Sequence, residues 1–136
     1  MDATTAASNI NWLSVIVATF SSFIVGGIWY GPVFGKAWMK AFNLSEDELA
    51  KRNMPMVFGL ALLLSFIAAI NLEMFIGAEA SVEFAAFAGF AAGLGWVATF
   101  LGILYLFEGQ SLLGYFINAG YCIFALTLMG LILGLL

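Results

Sequence analysis

The chain has 136 residues, of which 64% are hydrophobic and 9% are charged, and its formal net charge is −4. Soluble domains carry about 25% charged residues, so a soluble core of this length cannot cover so much apolar surface, and we expect the solvent to be lipid. The acidic balance gives no electrostatic reason to bind nucleic acid. The sequence has no histidine and one cysteine, Cys122, so it has no internal disulfide and no C-x-x-C pattern, and we expect neither a metal nor a cofactor.

Four apolar runs are long enough to cross a bilayer, whose ~30 Å hydrocarbon core requires about 20 helical residues. We predict an all-α membrane protein that forms one transmembrane domain over residues 1–136, with four helices in an antiparallel bundle. No Lys or Arg precedes the first run, which we therefore interpret as a retained helix and not as a signal peptide. The predicted spans are residues 11–30, 56–76, 84–107 and 112–136.

The loop between the first two spans, residues 31–55, has helical signals of its own. Gly31-Pro32 predicts that the first helix ends near Tyr30. Trp38 and its neighbours suit a segment in the membrane interface. Ser45 and Glu48 form an S-x-x-E capping box, which predicts a short capped helix in this loop.

The distribution of cations predicts the orientation of the chain. All the Lys and Arg side chains lie in this first loop, at Lys36, Lys40, Lys51 and Arg52. The positive-inside rule therefore places the loop in the cytoplasm and both termini outside. The third loop, "EGQS", is so short that the third and fourth helices must be adjacent and antiparallel.

Small residues recur at four-residue spacing, which is typical of close helix packing in lipid. The third helix has Gly89 and Gly93, and the fourth has Gly130 and Gly134. Two interpretations stay open: packing among the four helices of one chain, or a homo-oligomer that is sealed by the third or fourth helix. The second helix has a similar stripe at Ala61, Ser65 and Ala69.

No Asp, Glu, Lys or Arg lies near the middle of a span, which argues against a proton-coupled pump of ordinary design. Glu73 and Glu108 lie close to helix ends. We interpret both as boundary charges whose carboxylates reach the lipid headgroups.

Polar side chains line one face of the fourth helix, where Ser111, Tyr115, Asn118 and Cys122 follow spacings of four, three and four. Tyr121 lies beside this face. A buried amide needs hydrogen-bond partners, so Asn118 either bonds to a neighbouring helix or forms the polar floor of a ligand site that opens to the cytoplasm.

In the predicted topology, three helix ends meet in one layer at the inner side of the membrane. An aromatic belt would explain its Trp and Tyr residues without any ligand. Alternatively, the layer is a polar cluster that binds a ligand, with Lys36 and Glu108 as a potential ion pair. The candidate site comprises Trp29, Tyr30, Lys36, Trp38, Glu108, Tyr115, Asn118 and Tyr121.

The strings "WYGPVFGKAWMK" and "LFEGQSLLGYFINAGYCIFALTLMGLILG", with Asn11-Trp12, resemble the bacterial family catalogued as domain of unknown function 1761. The resemblance covers nearly the whole chain and implies a small four-helix membrane protein with no assigned activity. It places the protein in the bacterial inner membrane. Gly31, Gln110 and Cys122 depart from the Ser, Arg and frequent His of the family pattern, so we assign no role to positions 110 and 122. The matching positions are Trp29, Tyr30, Pro32, Gly35, Lys36, Trp38, Glu108, Gly109, Asn118, Gly120 and Tyr121.

Three functions are compatible with these patterns. The first is a homo-oligomeric pore or carrier for a small or amphipathic solute. The second is a structural or accessory subunit of a membrane assembly, with an unidentified membrane partner. The third and least favoured is an enzyme that acts on lipid or quinone, because the sequence lacks a histidine and a nucleophile–base pair. We therefore expect a protein that is not an enzyme.

Overall fold

The computed structural model describes residues 9–77 and 79–136, and all regular secondary structure in these residues is helical. Four of its helices are long and apolar enough to cross a membrane. The predicted all-α fold with four spanning helices is therefore confirmed. These helices are span 1 (Trp12–Val33), span 2 (Met54–Ile76), span 3 (Val82–Glu108) and span 4 (Leu112–Leu135).

Two of the spans contain a π-helical turn, and two short helices occupy the first loop. Span 1 consists of the α-helix Trp12–Ile28 and the π-helical turn Trp29–Val33. The loop helices are Gly35–Ala41 and Glu46–Ala50. Span 3 is composed of the α-helix Val82–Ala92, the π-helical turn Gly93–Ala98 and the α-helix Thr99–Glu108.

The prediction that Gly31-Pro32 ends the first helix near Tyr30 is wrong, because the helix continues to Val33. Proline has no N–H, and its ring clashes with the carbonyl four residues earlier in a regular α-helix. The π-helical turn removes this conflict by widening the helix, and the Phe34 N–H donates to the Trp29 carbonyl oxygen at 2.8 Å. The chain then turns sharply at Gly35, where a Cβ atom would lie 2.6 Å from the Tyr30 carbonyl oxygen.

The serine cap of the predicted S-x-x-E motif is present at the start of the second loop helix. The Ser45 hydroxyl accepts a hydrogen bond from the Glu48 N–H at 3.1 Å, and Glu46, Asp47 and Glu48 occupy the first turn. Serine and acidic side chains at this end satisfy free N–H groups and complement the helix dipole. The loop between spans 1 and 2 therefore has a defined helical path.

The spans pack in the spatial order 2–1–4–3, with antiparallel neighbours. The Asn11 amide donates to the Leu136 carbonyl at one end, and the Trp29 indole donates to the Ile117 carbonyl at the other. We call the first end, where residues 9–11, 77, 79–81 and 136 lie, the terminal end. The opposite end, which has residues 34–53 and 109–111, is the loop end.

The buried core is concentrated in the terminal half of the bundle. Val15 and Ala18 of span 1, Ala69 of span 2 and Ala85 of span 3 all have 0% exposure. Span 2 contributes buried residues only from Ala69 onwards. The loop half of span 2 has no buried residue of this kind, so span 2 diverges from the rest of the bundle toward the loop end.

Spans 3 and 4 form the most extensive helix contact in the described residues. A Cβ at Gly89 would lie 2.1 Å from the Leu126 carbonyl oxygen, and one at Gly130 would lie 2.3 Å from the Ala85 carbonyl oxygen. Gly93 and Gly134 lie in the same interface, against Ile123 and Ala85. The structure thus places all four glycines of the predicted packing set between spans 3 and 4 of one chain.

This close approach generates a prediction about Gly89. The Gly89→Ala substitution forces two backbones apart, so we expect the free energy of unfolding to fall by about 1–3 kcal/mol. Gly95→Ala is the matched control in the same span, because a Cβ there meets nothing within 4 Å. Equilibrium unfolding in mixed detergent micelles measures both changes, and equal stabilities of the two variants would contradict the assigned interface.

Candidate functional site

The divergence of span 2 leaves a cleft at the loop end with a volume of about 950 Å³. Spans 1, 2 and 4 form its walls and floor, and the loop helices lie at its mouth. Cavities of about 300–1,000 Å³ are typical of small-molecule sites. The cleft is therefore large enough for a ligand, and it lies where the bundle lacks a packed core.

Asn118 of span 4 is the centre of the polar floor. Its Oδ1 accepts a hydrogen bond from the Tyr30 hydroxyl at 2.6 Å, and its Nδ2 donates to the Tyr105 hydroxyl at 2.6 Å. The amide thus joins spans 1, 3 and 4 at one point. An amide has two donors and two acceptor lone pairs, so one N–H and one lone pair of Asn118 are not used by these bonds.

Three further hydroxyl groups lie deeper in the cleft, those of Tyr121, Ser22 and Ser65. The Tyr121 hydroxyl donates to the Ser22 carbonyl oxygen at 3.1 Å, and the Ser22 hydroxyl is 3.1 Å from that of Ser65. The second contact links span 1 to span 2 at the bottom of the cleft. Tyr121 also packs edge-on to Tyr30, with ring centroids 5.4 Å apart. The floor is consequently polar and uncharged.

The walls and the mouth differ from the floor in chemistry. Phe23 of span 1 and Phe58 of span 2 line the cleft and pack against each other, with ring centroids 6.4 Å apart. The exposed side chains of Glu46 and Arg52 lie at the mouth. From the mouth inward, the lining therefore changes from charged groups to apolar side chains and then to neutral hydrogen-bonding groups.

Four of the predicted site residues line this cleft: Tyr30, Trp38, Asn118 and Tyr121. Trp38 of the first loop helix packs edge-on to Tyr30, with ring centroids 5.3 Å apart. The loop helix thus covers the polar floor from above. These aromatic rings lie against one another and the amide, so a belt at the lipid interface does not fully describe them.

Two other predicted site residues bond to backbone carbonyls outside the cleft. The Trp29 indole donates to the Ile117 carbonyl at 2.9 Å, and its ring lies against Gly120, where a Cβ would be 2.9 Å away. The Tyr115 hydroxyl donates to the Ala98 carbonyl at 2.9 Å. Both side chains join span 4 to a neighbouring span.

Lys36 and Glu108, the last two predicted site residues, are both exposed. Within residues 9–77 and 79–136 no ion pair joins them, and neither lines the cleft. Long charged side chains at helix ends are stable in contact with water or headgroups, so their separation has little energetic cost. Across the same described residues, no cluster of His, Cys, Asp and Glu side chains could bind a metal ion.

The interpretation of Glu73 as a boundary charge is wrong, because its side chain is only 6% exposed. It packs at the terminal end, where its Oε2 lies 3.3 Å from the Ser14 hydroxyl. A signal for this burial exists in the sequence: Glu73 continues the four-residue stripe of Ala61, Ser65 and Ala69 on span 2. Ser65, Ser22 and Tyr105 are further site residues that the sequence interpretation did not select.

Comparison with known families identifies the chain. A sequence model described as "Protein of unknown function (DUF1761)" matches residues 13–134. The chain belongs to this family. The match covers all of the four spans of this DUF1761 protein except Trp12 and Leu135, and the family description assigns no activity. A comparison with curated proteins and one with solved structures gave no match.

The geometry explains several positions at which the chain matches the DUF1761 pattern. Gly35 allows the loop helix to turn against Tyr30, and Gly120 accommodates the Trp29 ring. Asn118 and Tyr121 lie at the floor of the cleft. Of these positions, Asn118 and Tyr121 line the cleft, whereas Gly35 and Gly120 allow close packing beside it.

The Asn118 hydrogen bonds generate a second prediction. Asn118→Leu removes both bonds and leaves two tyrosine hydroxyls without their partner, so we expect a loss of about 1–2 kcal/mol in the free energy of unfolding. Asn71→Leu is the matched control, since among the residues that the structure describes the exposed Asn71 amide donates only to the Ile67 carbonyl of its own helix. Thermal unfolding in detergent reports both values, and an Asn118→Leu protein as stable as the control would show that the three-span junction is energetically unimportant.

Proposed function

We propose that this DUF1761 protein binds a small amphipathic molecule in the loop-end cleft and acts as a membrane carrier for it. The observation that supports this most directly is the cleft of about 950 Å³ with a hydrogen-bonding floor and apolar walls. A ligand with a neutral polar group and a hydrocarbon body would complement both parts. The unused N–H and lone pair of Asn118 could bond to its polar group.

The absence of charge in the floor favours a neutral polar group on the ligand. Asn118, Tyr30 and Tyr121 supply amide and hydroxyl groups, and the charged Glu46 and Arg52 lie only at the mouth. A charged group without a counter-charge would lose its hydration on moving to this depth. Alcohols, quinones and amides with an apolar chain are suitable classes.

A carrier fits the described bundle better than a pore through a single chain. Val15, Ala18, Ala69 and Ala85 have 0% exposure and fill the terminal half. The cleft therefore ends inside the bundle, and a solute could leave at the terminal end only after a conformational change. Access from one side at a time is the defining property of carriers.

We further propose that the loop end faces the cytoplasm of a bacterial inner membrane. The support is the concentration of all Lys and Arg side chains between Lys36 and Arg52. In this orientation both termini are outside, and the cleft receives its solute from the cytoplasm or the inner leaflet.

Oligomerisation is a separate part of the proposal. Gly89, Gly93, Gly130 and Gly134 already pack within one chain, so a homo-oligomer would have to use the lipid-facing residues. The cleft is formed by a single chain and does not need a second copy to be complete. An accessory subunit is the competing function, and it requires no ligand in the cleft.

Blocking the cleft tests the proposal. Gly27 lines it, and a Cβ at Gly27 meets nothing within 4 Å, so Gly27→Phe should fill the cleft without disturbing the fold. Gly59→Phe is the matched control, because Gly59 is equally unobstructed but lies in a separate groove between spans 1 and 2. The probe is a long-chain alcohol with a photoreactive diazirine, which is cross-linked to the protein in lipid nanodiscs and located by peptide mass mapping.

We expect cross-links on the cleft residues of the unmodified protein and of Gly59→Phe, and their loss in Gly27→Phe. Cross-links that are spread over the lipid-facing residues and unchanged in Gly27→Phe would contradict ligand binding. Copurification of a protein partner without any cleft cross-link would favour the accessory-subunit function.

A further inference from the structure

Glu73 is a buried carboxyl group that the cleft does not use. It lies one turn from the terminal end of span 2, and its side chain is 6% exposed. Its neighbours on span 2, Ala69, Leu72 and Ile76, belong to the apolar core of the terminal half. No Lys or Arg can neutralise it there, because all such residues of the sequence lie between Lys36 and Arg52 at the opposite end.

The hydrogen bonds at this point are compatible with a protonated Glu73. The Ser14 hydroxyl lies 2.9 Å from the Asn11 carbonyl oxygen and 3.3 Å from Glu73 Oε2. A hydroxyl has one proton, and a carbonyl oxygen can only accept. Ser14 can donate to Glu73 or to the nearer Asn11 oxygen, and when it donates to Asn11 a protonated Glu73 can complete the set by donating to the Ser14 oxygen.

The groups on the neighbouring elements do not favour an ionised Glu73. The α-helix of span 1 has no titratable side chain, and Glu83, the one such residue in the first α-helix of span 3, is exposed. The titratable side chains of span 4 lie in its loop half and are Tyr115, Tyr121 and Cys122. Glu79, in the turn between spans 2 and 3, is exposed and also acidic. A buried carboxylate without a counter-charge is unfavourable, whereas a neutral acid that forms a hydrogen bond is compatible with this environment.

We propose that Glu73 is a proton-binding site within the membrane domain and that its proton holds spans 1 and 2 together at the terminal end. Loss of the proton would leave a charge between Ser14 and the apolar core, and the two spans would separate to hydrate it. Coupling of this proton to solute movement rests on the carrier function proposed above. The proton site itself rests only on the geometry at Glu73.

An apolar carbodiimide tests the proton site directly. Dicyclohexylcarbodiimide adds to a protonated carboxyl group in apolar surroundings and forms a stable N-acylurea without a leaving group. We expect one adduct at neutral pH, which peptide mass mapping places on Glu73, in the unmodified protein and in the control Glu83→Gln. Glu73→Gln should show none, and the infrared C=O stretch of a protonated carboxyl should be absent only from this variant.

Stability measurements test the structural role of the proton. The side-chain amide that Glu73→Gln introduces can donate to Ser14 as the neutral acid does, so this variant should melt at the same temperature as the unmodified protein below about pH 4, where the carboxyl group is protonated in both the folded and the unfolded chain. As the pH rises from there, the unfolded chain releases the Glu73 proton while the folded protein keeps it, so the melting temperatures of the unmodified protein and of Glu83→Gln should fall relative to that of Glu73→Gln.

Several outcomes would overturn the assignment. They are an adduct on Glu79, Glu83 or Glu108 in place of Glu73, an infrared spectrum that shows Glu73 only as a carboxylate, or the same dependence of melting temperature on pH in Glu73→Gln as in the unmodified protein. If Glu73→Gln does not fold, the adduct map of the unmodified protein still decides the question. A Glu73 adduct in a protein whose cleft captures no alcohol would reject the carrier function alone.

Discussion

Backbone contact between spans 3 and 4 is the constraint on which the rest of the structure depends. With glycine at positions such as 89 and 130, the two helices approach until a Cβ at either position would overlap a carbonyl oxygen of the other span. This approach fixes the rotation of span 4 about its axis. The remaining surface of span 4 is then available to span 1. Trp29 and Tyr30 of span 1 and Tyr121 of span 4 form the hydrogen bonds that join these two spans. The polar floor at Asn118 is a consequence of that rotation.

Span 2 packs into the buried core along only one half of its length, and this asymmetry produces both candidate sites. Its terminal half packs through Ala69 and Leu72 into the core, where the same stripe places Glu73 against Ser14. Its loop half has no comparable packing, and the cleft lies between it and span 1. The divergence of span 2 from the bundle thus produces both ends. The terminal end is closed and contains a buried carboxyl group, and the loop end is open and has a neutral polar floor.

The features that the sequence predicts are those with local causes. Apolar run length predicts the four spans, and the Ser45–Glu48 spacing predicts the capped loop helix. The polar face of span 4 predicts that Asn118 has partners, but their identity depends on the rotation of three helices. The π-helical turn at Pro32 and the burial of Glu73 are not predicted. Whether a helix continues past a proline, and whether a carboxyl group near a helix end is covered, both depend on the segments that pack beside them. The predicted pairing of Lys36 with Glu108 fails for a similar reason. Two side chains at the same depth in the membrane need not be in contact.

The central claim is that the bundle is open at the loop end and closed at the terminal end. Accessibility scanning of span 2 in lipid vesicles measures it most directly, with a membrane-impermeant thiol reagent and single cysteines in a Cys122→Ala background. The cleft-lining positions Val57, Ala61 and Ser65 should react from the loop side, and the buried positions Ala69 and Leu72 should not. Reaction that continues through Ala69 and Leu72 would show a continuous pore, and absence of reaction at Val57 and Ala61 would show that no open cleft exists.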